Sequence, residues 1–171
     1  MALNNYVTLG HSGLRVSPLS LGTMTFGEDW GWGSTVEDSY KIIARYLELG
    51  GNFLDTANFY TKGHSEKIIG DFIKKNAPGP TGYCHQNSSA TCTQVTPTVV
   101  APAANRCTPR STSRLSGSRP RPVDLYWITA GTATPIEETM SALDDLVKSE
   151  KSDTSGFSDT PAWKCAQAQT T

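Results

Sequence analysis

Between Val36 and Leu47 the apolar residues Val36, Tyr40, Ile43, Ala44 and Leu47 recur at intervals of three and four, which predicts an amphipathic helix. Ser34 or Thr35 supplies its cap, because a hydroxyl there accepts from first-turn amides that have no partner inside the helix. Gly50-Gly51 stops the helix by taking positive φ without steric cost. A second helix is predicted with Ile68, Ile69, Phe72 and Ile73 on one face and Ser65 as its cap. Shorter apolar runs predict strands. Tyr6 to Leu9 and Leu14 to Val16 flank His11-Ser12-Gly13 as a hairpin, Leu19 to Leu21 ends at Gly22, and Asn52 to Asp55 precedes the second helix. The order strand, helix, strand, helix predicts an α/β protein with parallel strands and crossover helices. Its active groups are then expected at the carboxyl ends of the strands.

This consistency stops in the middle of the chain. Between Asp71 and Asp124 there is no Asp or Glu; Pro, Ser, Thr, Ala and Arg dominate, and Val99-Val100 is the one adjacent pair of branched apolar residues. Such a segment buries too little to offset its ordering entropy, so neither helix nor strand is predicted there and disorder is expected. Three parts follow: 1–76 with the first two β/α units, an irregular 77–122, and 123–171 with another β/α unit and the start of the next strand. In the last part the amphipathic helix Pro135 to Lys148 presents an apolar face of the kind that forms core.

Composition narrows the partners. A chain of 171 residues with 37% apolar content supports one core and is short for a large barrel. A net charge of -1 gives no overall attraction to nucleic acid or an anionic membrane. Arg106, Arg110, Arg114, Arg119 and Arg121 lack the interleaved aromatics of a nucleic-acid arm, so no nucleic-acid partner is expected. No apolar run spans a bilayer and Met1 to Asn5 lack a secretory signal, which predicts a cytoplasmic protein with no membrane contact. Asn87-Ser88-Ser89 fits a glycosylation acceptor, but without export it is read as accidental. Cys84, Cys92, Cys107 and Cys165 form no C-x-x-C pair and are read as unpaired thiols, with no metal site.

At the expected active edge stand Asp55 and, on the following loop, Tyr60. A tyrosine phenol, ordinarily titrating near ~10, becomes a useful proton donor only beside positive charge. By spacing alone, a strand-end Asp that bonds backbone amides and a loop Tyr that packs are the better explanation of the pair.

Leu21-Gly-Thr-Met-Thr-Phe26-Gly27 and Gly50-Gly-Asn-Phe-Leu-Asp55-Thr-Ala-Asn-Phe-Tyr60-Thr resemble the signature segments of the aldo-keto reductases. Val123 to Ile128, Pro135 to Val147 and Gly156 to Trp163 resemble later blocks of that family in the same order. The resemblance implies part of a (β/α)8 TIM barrel that transfers hydride from NADPH to a small carbonyl compound, using an Asp, a Tyr, a Lys and a His. Asp55 and Tyr60 match the first two. It implies that Tyr60 protonates the developing alkoxide while a lysine held by Asp55 eases loss of the phenol's proton and a histidine orients the carbonyl. Gly22, Thr23 and Met24 would border the nicotinamide, and Ser158 and Asp159 would begin the contacts to its amide.

The implied lysine falls at Gln86-Asn87 and the implied histidine at Thr129, neither of which is a cation. His85 has no supported geometry there, and His64 is expected at the surface. Reading the coding bases out of frame supplies what is missing: a lysine spans the codons of Gln86 and Asn87, and Ile128 to Thr134 becomes His-Gly-Trp-Asp-Arg-His. Lys151 to Ser155 likewise becomes Val-Arg-Tyr-Ile, a fitting fifth strand. The expectation is therefore a frameshifted middle, a missing C-terminal part that includes the grip on the cofactor's 2'-phosphate, and little or no activity. Self-association through open barrel edges is expected, with a non-catalytic binding module or a product without function as alternatives.

Overall fold

The computed structural model describes residues 3–76, 90–95, 123–129, 134–149 and 152–171. Val7–Thr8 (β1) and Arg15–Val16 (β2) pair antiparallel as the predicted hairpin, turning through Gly10 at φ 56°. Leu21–Gly22 (β3), Phe53–Ala57 (β4), Ala90–Val95 (β5), Val123–Thr129 (β6) and Ser152–Ser158 (β7) form one five-stranded sheet in sequence order, every neighbouring pair parallel. Helix α1, Val36–Glu48, connects β3 to β4, and α2, His64–Asn76, follows β4 after a 3-10 turn at Tyr60–Gly63. Helix α3, Ile136–Lys148, lies between β6 and β7, and α4, Ala162–Thr170, follows β7. The α/β class with parallel strands is as expected.

Several local expectations are corrected. Residues 90–95 are a strand, although the sequence predicts no helix or strand between 77 and 122. Thr91, Thr93 and Val95 are β-branched, and β5 is laddered to β4 over Ala90 to Gln94 and to β6 over Cys92 to Val95; tertiary pairing overrides the missing apolar alternation. The expected disorder of 77–89 and 96–122 lies outside the described residues. Ser65 does not cap α2 but sits in its first turn, fully buried, and the Thr61 hydroxyl accepts its backbone N–H at 3.0 Å. Thr35, rather than Ser34, caps α1 by accepting from the Asp38 N–H at 3.2 Å. Val36, expected on the buried face of α1, is exposed.

Gly50 takes φ 88° and ends α1 as predicted, but Gly51 is needed for another reason: a Cβ there would stand 2.3 Å from the Tyr46 ring. The Tyr46 hydroxyl lies 2.8 Å from the Leu19 carbonyl and accepts from the Phe53 N–H at 3.0 Å, fixing α1 against the start of β4. Asn52 accepts from the Ser17 N–H at 2.7 Å and donates to the Arg15 carbonyl at 3.0 Å, tying the hairpin to the same place. Around these bonds Phe26, Ile43, Tyr46, Leu54, Ile68, Ile69 and Phe72 form one apolar core. A second, smaller core joins Val123, Tyr126, Leu143 and Leu146, so the apolar face of α3 is core as expected.

Candidate active site

Asp55 lies in β4 with Gly22 of β3 and Cys92 of β5 as its register partners. Beyond Gly22 the chain turns back on β4: both the N–H and the hydroxyl of Thr23 donate to the Asp55 carbonyl, at 2.9 and 2.8 Å. The Ser65 hydroxyl lies 2.8 Å from the Thr23 carbonyl and from its hydroxyl, and 3.1 Å from that of Thr56. Thr23, Thr56 and Ser65 are all without solvent exposure. A buried hydroxyl must be hydrogen-bonded or cost about 1–3 kcal/mol, so this cluster holds three elements in one arrangement.

Tyr60 follows β4 by three residues, is largely buried, and meets the ring of Phe59 edge-on at a centroid distance of 4.9 Å. Its position is set by an unusual turn. Thr61 and Lys62 both have left-handed backbones, φ 46° and 58°. For a β-branched residue that conformation is a real outlier and persists only when its surroundings impose it. Here they do: the Thr61 hydroxyl donates to the Phe26 carbonyl at 2.7 Å while accepting the Ser65 N–H. His64 is only half-buried, but it is not an idle surface residue, since its Nδ1 lies 2.7 Å from Asp29 Oδ2. The bond from His64 is the main reason the Asp29 carboxyl titrates below its ordinary value. Gly27 sits in the angle between these groups, at φ 95°, where a Cβ would come within 3.2 Å of Asp29, His64 and Thr61. The loop between β3 and α1 is thereby fastened to the turn that carries Tyr60.

The remaining expected site residues are distributed along the same carboxyl edge. A Cβ on Gly22 would meet nothing within 4 Å among the described residues, and the Met24 side chain is exposed. The hydroxyl of Thr23, by contrast, is committed to the protein. Ser158 ends β7 opposite Thr129, and Asp159 follows with φ 48°. Four strand spacings separate β3 from β7, roughly 19 Å along the sheet at about 4.8 Å each. Asp55 is thus adjacent to Gly22 and Thr23, with Tyr60 three residues beyond β4, while Ser158 and Asp159 stand at the far side of the sheet. The implied lysine position, Gln86-Asn87, lies outside the described residues; the strand that flanks Asp55 reads Ala-Thr-Cys-Thr-Gln-Val and contains no lysine. Thr129 terminates β6 where the resemblance implies a histidine. Among the described residues no cluster of three or more His, Cys, Asp or Glu could hold a metal ion.

Thr61, Ser65 and the Asp29–His64 pair escape the sequence reading. A left-handed threonine has no signature in composition or period, and the Ser65 position reads equally well as a helix cap.

Residues 18–171 match the Aldo/keto reductase family. The norsolorinic acid reductase stcV of Emericella nidulans is 32% identical over 91% of this chain and 43% of its own length. An aryl-alcohol dehydrogenase [NADP(+)] of Phanerodontia chrysosporium is 30% identical over 91% of this chain and 44% of its own. The chain therefore spans less than half the length of these curated relatives. In three dimensions it is similar to the holo form of an aldo-keto reductase, AKR11C1, from Bacillus halodurans, with TM-score 0.71 and 27% identity over 91% of this chain and 50% of that one. The parallel sheet with its connecting helices is a partial (β/α)8 barrel.

Proposed function

Because the chain belongs to the aldo/keto reductase family, we propose that the edge carrying Asp55 and Tyr60 is a carbonyl-reducing site, taking NADPH and a small aldehyde or ketone, with Tyr60 as proton donor. The observation that carries this reading is the bonded framework of Thr23, Thr61 and Ser65, which fixes the Tyr60 turn against the strand bearing Asp55. Holding a donor in place before the reaction removes part of the entropic barrier.

The residues present suit a nicotinamide in part. A Cβ on Gly22 would meet nothing within 4 Å among the described residues and the Met24 side chain is exposed beside it, which supports a ring contact there, while Ser158 stands at the other end of the sheet. When bound, NADPH supplies a hydride to the carbonyl carbon. Tyr60 then delivers its hydroxyl proton to the carbonyl oxygen as negative charge develops there. A phenol does this readily near neutral pH only beside a cation. The family's lysine and histidine positions carry Gln86-Asn87 and Thr129, so turnover by this chain is far below that of a complete site. A frameshift in the coding DNA accounts for both losses together.

The same losses favour a second reading, a binding module that holds cofactor or a protein partner without turnover. No helix among the described residues is long and apolar enough to cross a membrane. A cytoplasmic location and self-association through the edges of β3 and β7 complete the proposal.

NADPH fluorescence titration and aldehyde-dependent NADPH oxidation test it. We expect a fluorescence change, slow oxidation, a further fall of about 10²-fold or more in Tyr60→Phe, and a gain in Thr129→His. NADPH fluorescence that does not respond to the folded protein would sink the reductase reading. Binding with no oxidation in either chain would favour the module.

A further inference from the structure

Resting on the site proposed above, we propose that His64 is a positioning residue for Tyr60, acting through its bond to Asp29 on the loop between β3 and α1.

Tyr60 is followed by three consecutive left-handed residues, Thr61 at φ 46°, Lys62 at φ 58° and Gly63 at φ 88°. Glycine takes that backbone freely, whereas a threonine and a lysine relax out of it unless the run is held at both ends. The entry is held from inside, where the Thr61 hydroxyl donates to the Phe26 carbonyl at 2.7 Å. Lys62 gives the run no such anchor: its side chain is exposed, and its N–H reaches back to the Phe59 carbonyl at 3.1 Å, within the same turn. The exit is held by His64, whose Nδ1 lies 2.7 Å from Asp29 Oδ2, a contact between residues 35 positions apart.

The chemistry of the pair makes this a standing restraint. An ionised carboxylate only accepts, so Nδ1 donates, and it can do so whether the ring is neutral or cationic. The charge of Lys62 favours the same ionised form of Asp29. The acceptor also stands on a braced loop, for Gly27 N–H donates to the Ser34 carbonyl at 3.0 Å, Ser34 N–H to the Thr25 carbonyl at 2.8 Å and Gly31 N–H to the Glu28 carbonyl at 2.9 Å. Entry and exit anchors meet at one glycine: a Cβ on Gly27 would stand 3.1 Å from both Asp29 Oδ2 and His64 Nδ1, and 3.2 Å from the Thr61 hydroxyl. With His64 released, Lys62 and Gly63 can unwind, and the turn after Tyr60 hangs on Thr61 alone.

Fluorine NMR on the full chain carrying fluorotyrosine tests this, with the Tyr60 resonance assigned by its loss in Tyr60→Phe. The resonance is expected to move in His64→Leu and in Asp29→Ala, to move no further in the double variant, and to return in His64→Asn, whose amide N–H stands near the place of Nδ1. In Asp29→Ala the Ser65 amide, bonded to Thr61, should exchange about two- to fivefold faster, while the Leu9 amide of the hairpin keeps its rate. Both side chains are about one-third exposed, which makes these substitutions compatible with folding. A Tyr60 resonance that stays in place in either deletion, single-variant shifts that add in the double variant, no return in His64→Asn, or faster exchange at Leu9 as well overturns the proposal. In NADPH oxidation with propanal, His64→Leu is expected to lower kcat by about two- to tenfold with KM for NADPH unchanged; an unchanged kcat overturns the proposal too. Oxidation by none of the chains defeats the reductase reading and leaves the placement of Tyr60 to be decided by its resonance.

Discussion

The β3-to-α2 part of the molecule and the β6-to-α4 part are built from the same strand-and-helix units, but among the described residues their side-chain bonds differ in reach. In the first, polar groups distant in sequence meet inside: Ser65 with Thr23, Thr61 with Phe26, Asn52 with Ser17. In the second, among the described residues, the side-chain bonds of Thr139 to Pro135, Ser152 to Thr154 and Thr160 to Ser158 are local. Among the described residues the apolar cores differ in the same sense, eight buried residues against four. A strand such as β7, Ser-Asp-Thr-Ser-Gly-Phe-Ser, is laddered to β6, buries Ser152 and packs Phe157 against the smaller core. The same architecture thus carries long-range side-chain bonds beside β3 and β4, and it is these that fasten the turn following Tyr60.

The largest test of this contrast is core truncation. Leu54→Ala should cost about 2–5 kcal/mol in urea unfolding, with Leu143→Ala in the smaller core nearer the low end. A larger loss at Leu143 would break the contrast. Next come the buried hydroxyls: Ser65→Ala takes the bonded partner from the buried Thr23 and Thr56 hydroxyls, though the Thr23 carbonyl keeps the Phe26 N–H, and is expected to cost about 1–3 kcal/mol, whereas Ser152→Ala removes a local bond and should cost about 0.5–1.5 kcal/mol. Unfolding midpoints of the two variants decide this directly.

Helix caps sharpen the same point at smaller scale. Thr35 caps α1 with its side chain, while α3 begins behind Pro135 with no side-chain cap bond. Thr35→Ala should lower stability by about 1 kcal/mol and Pro135→Ser raise it by a few tenths, both visible as opposite shifts in Tm.

The smallest effect is electrostatic. Asp29 titrates below its ordinary 3.8 in the folded chain, because His64 bonds to its ionised form. A carboxyl depressed by folding stabilises fully above its unfolded value and ceases to do so as pH falls through the lower, folded one. The acid limb of the Tm-against-pH curve should therefore flatten below about pH 3.8 in Asp29→Asn. Both groups are about one-third exposed, so the change is small, and screening by salt should diminish it further.

Where local rules and the fold agree, the sequence is readable. The period of α1, the apolar faces of α2 and α3, the hairpin turn and the Gly50 stop all follow from spacing and turn chemistry, and the motif around Asp55 and Tyr60 points to its family. Strand β5 was illegible because its place comes from the neighbours on both sides and its own residues lack a period. The groups that secure Tyr60 were illegible for a related reason: the bonds of Thr61 and Ser65 reach residues 35 and 42 positions away, beyond any local pattern.

Residue 61 is also where two demands on one side chain diverge. Glycine would relieve the left-handed backbone but sever the link to Phe26, and serine would keep the link with less relief. Asparagine tolerates that backbone and carries both a donor and an acceptor, so it is the substitution most able to meet both demands. The turn beside Tyr60 therefore has very few neighbours in sequence space: random change there reaches a relaxed chain easily and a connected one rarely.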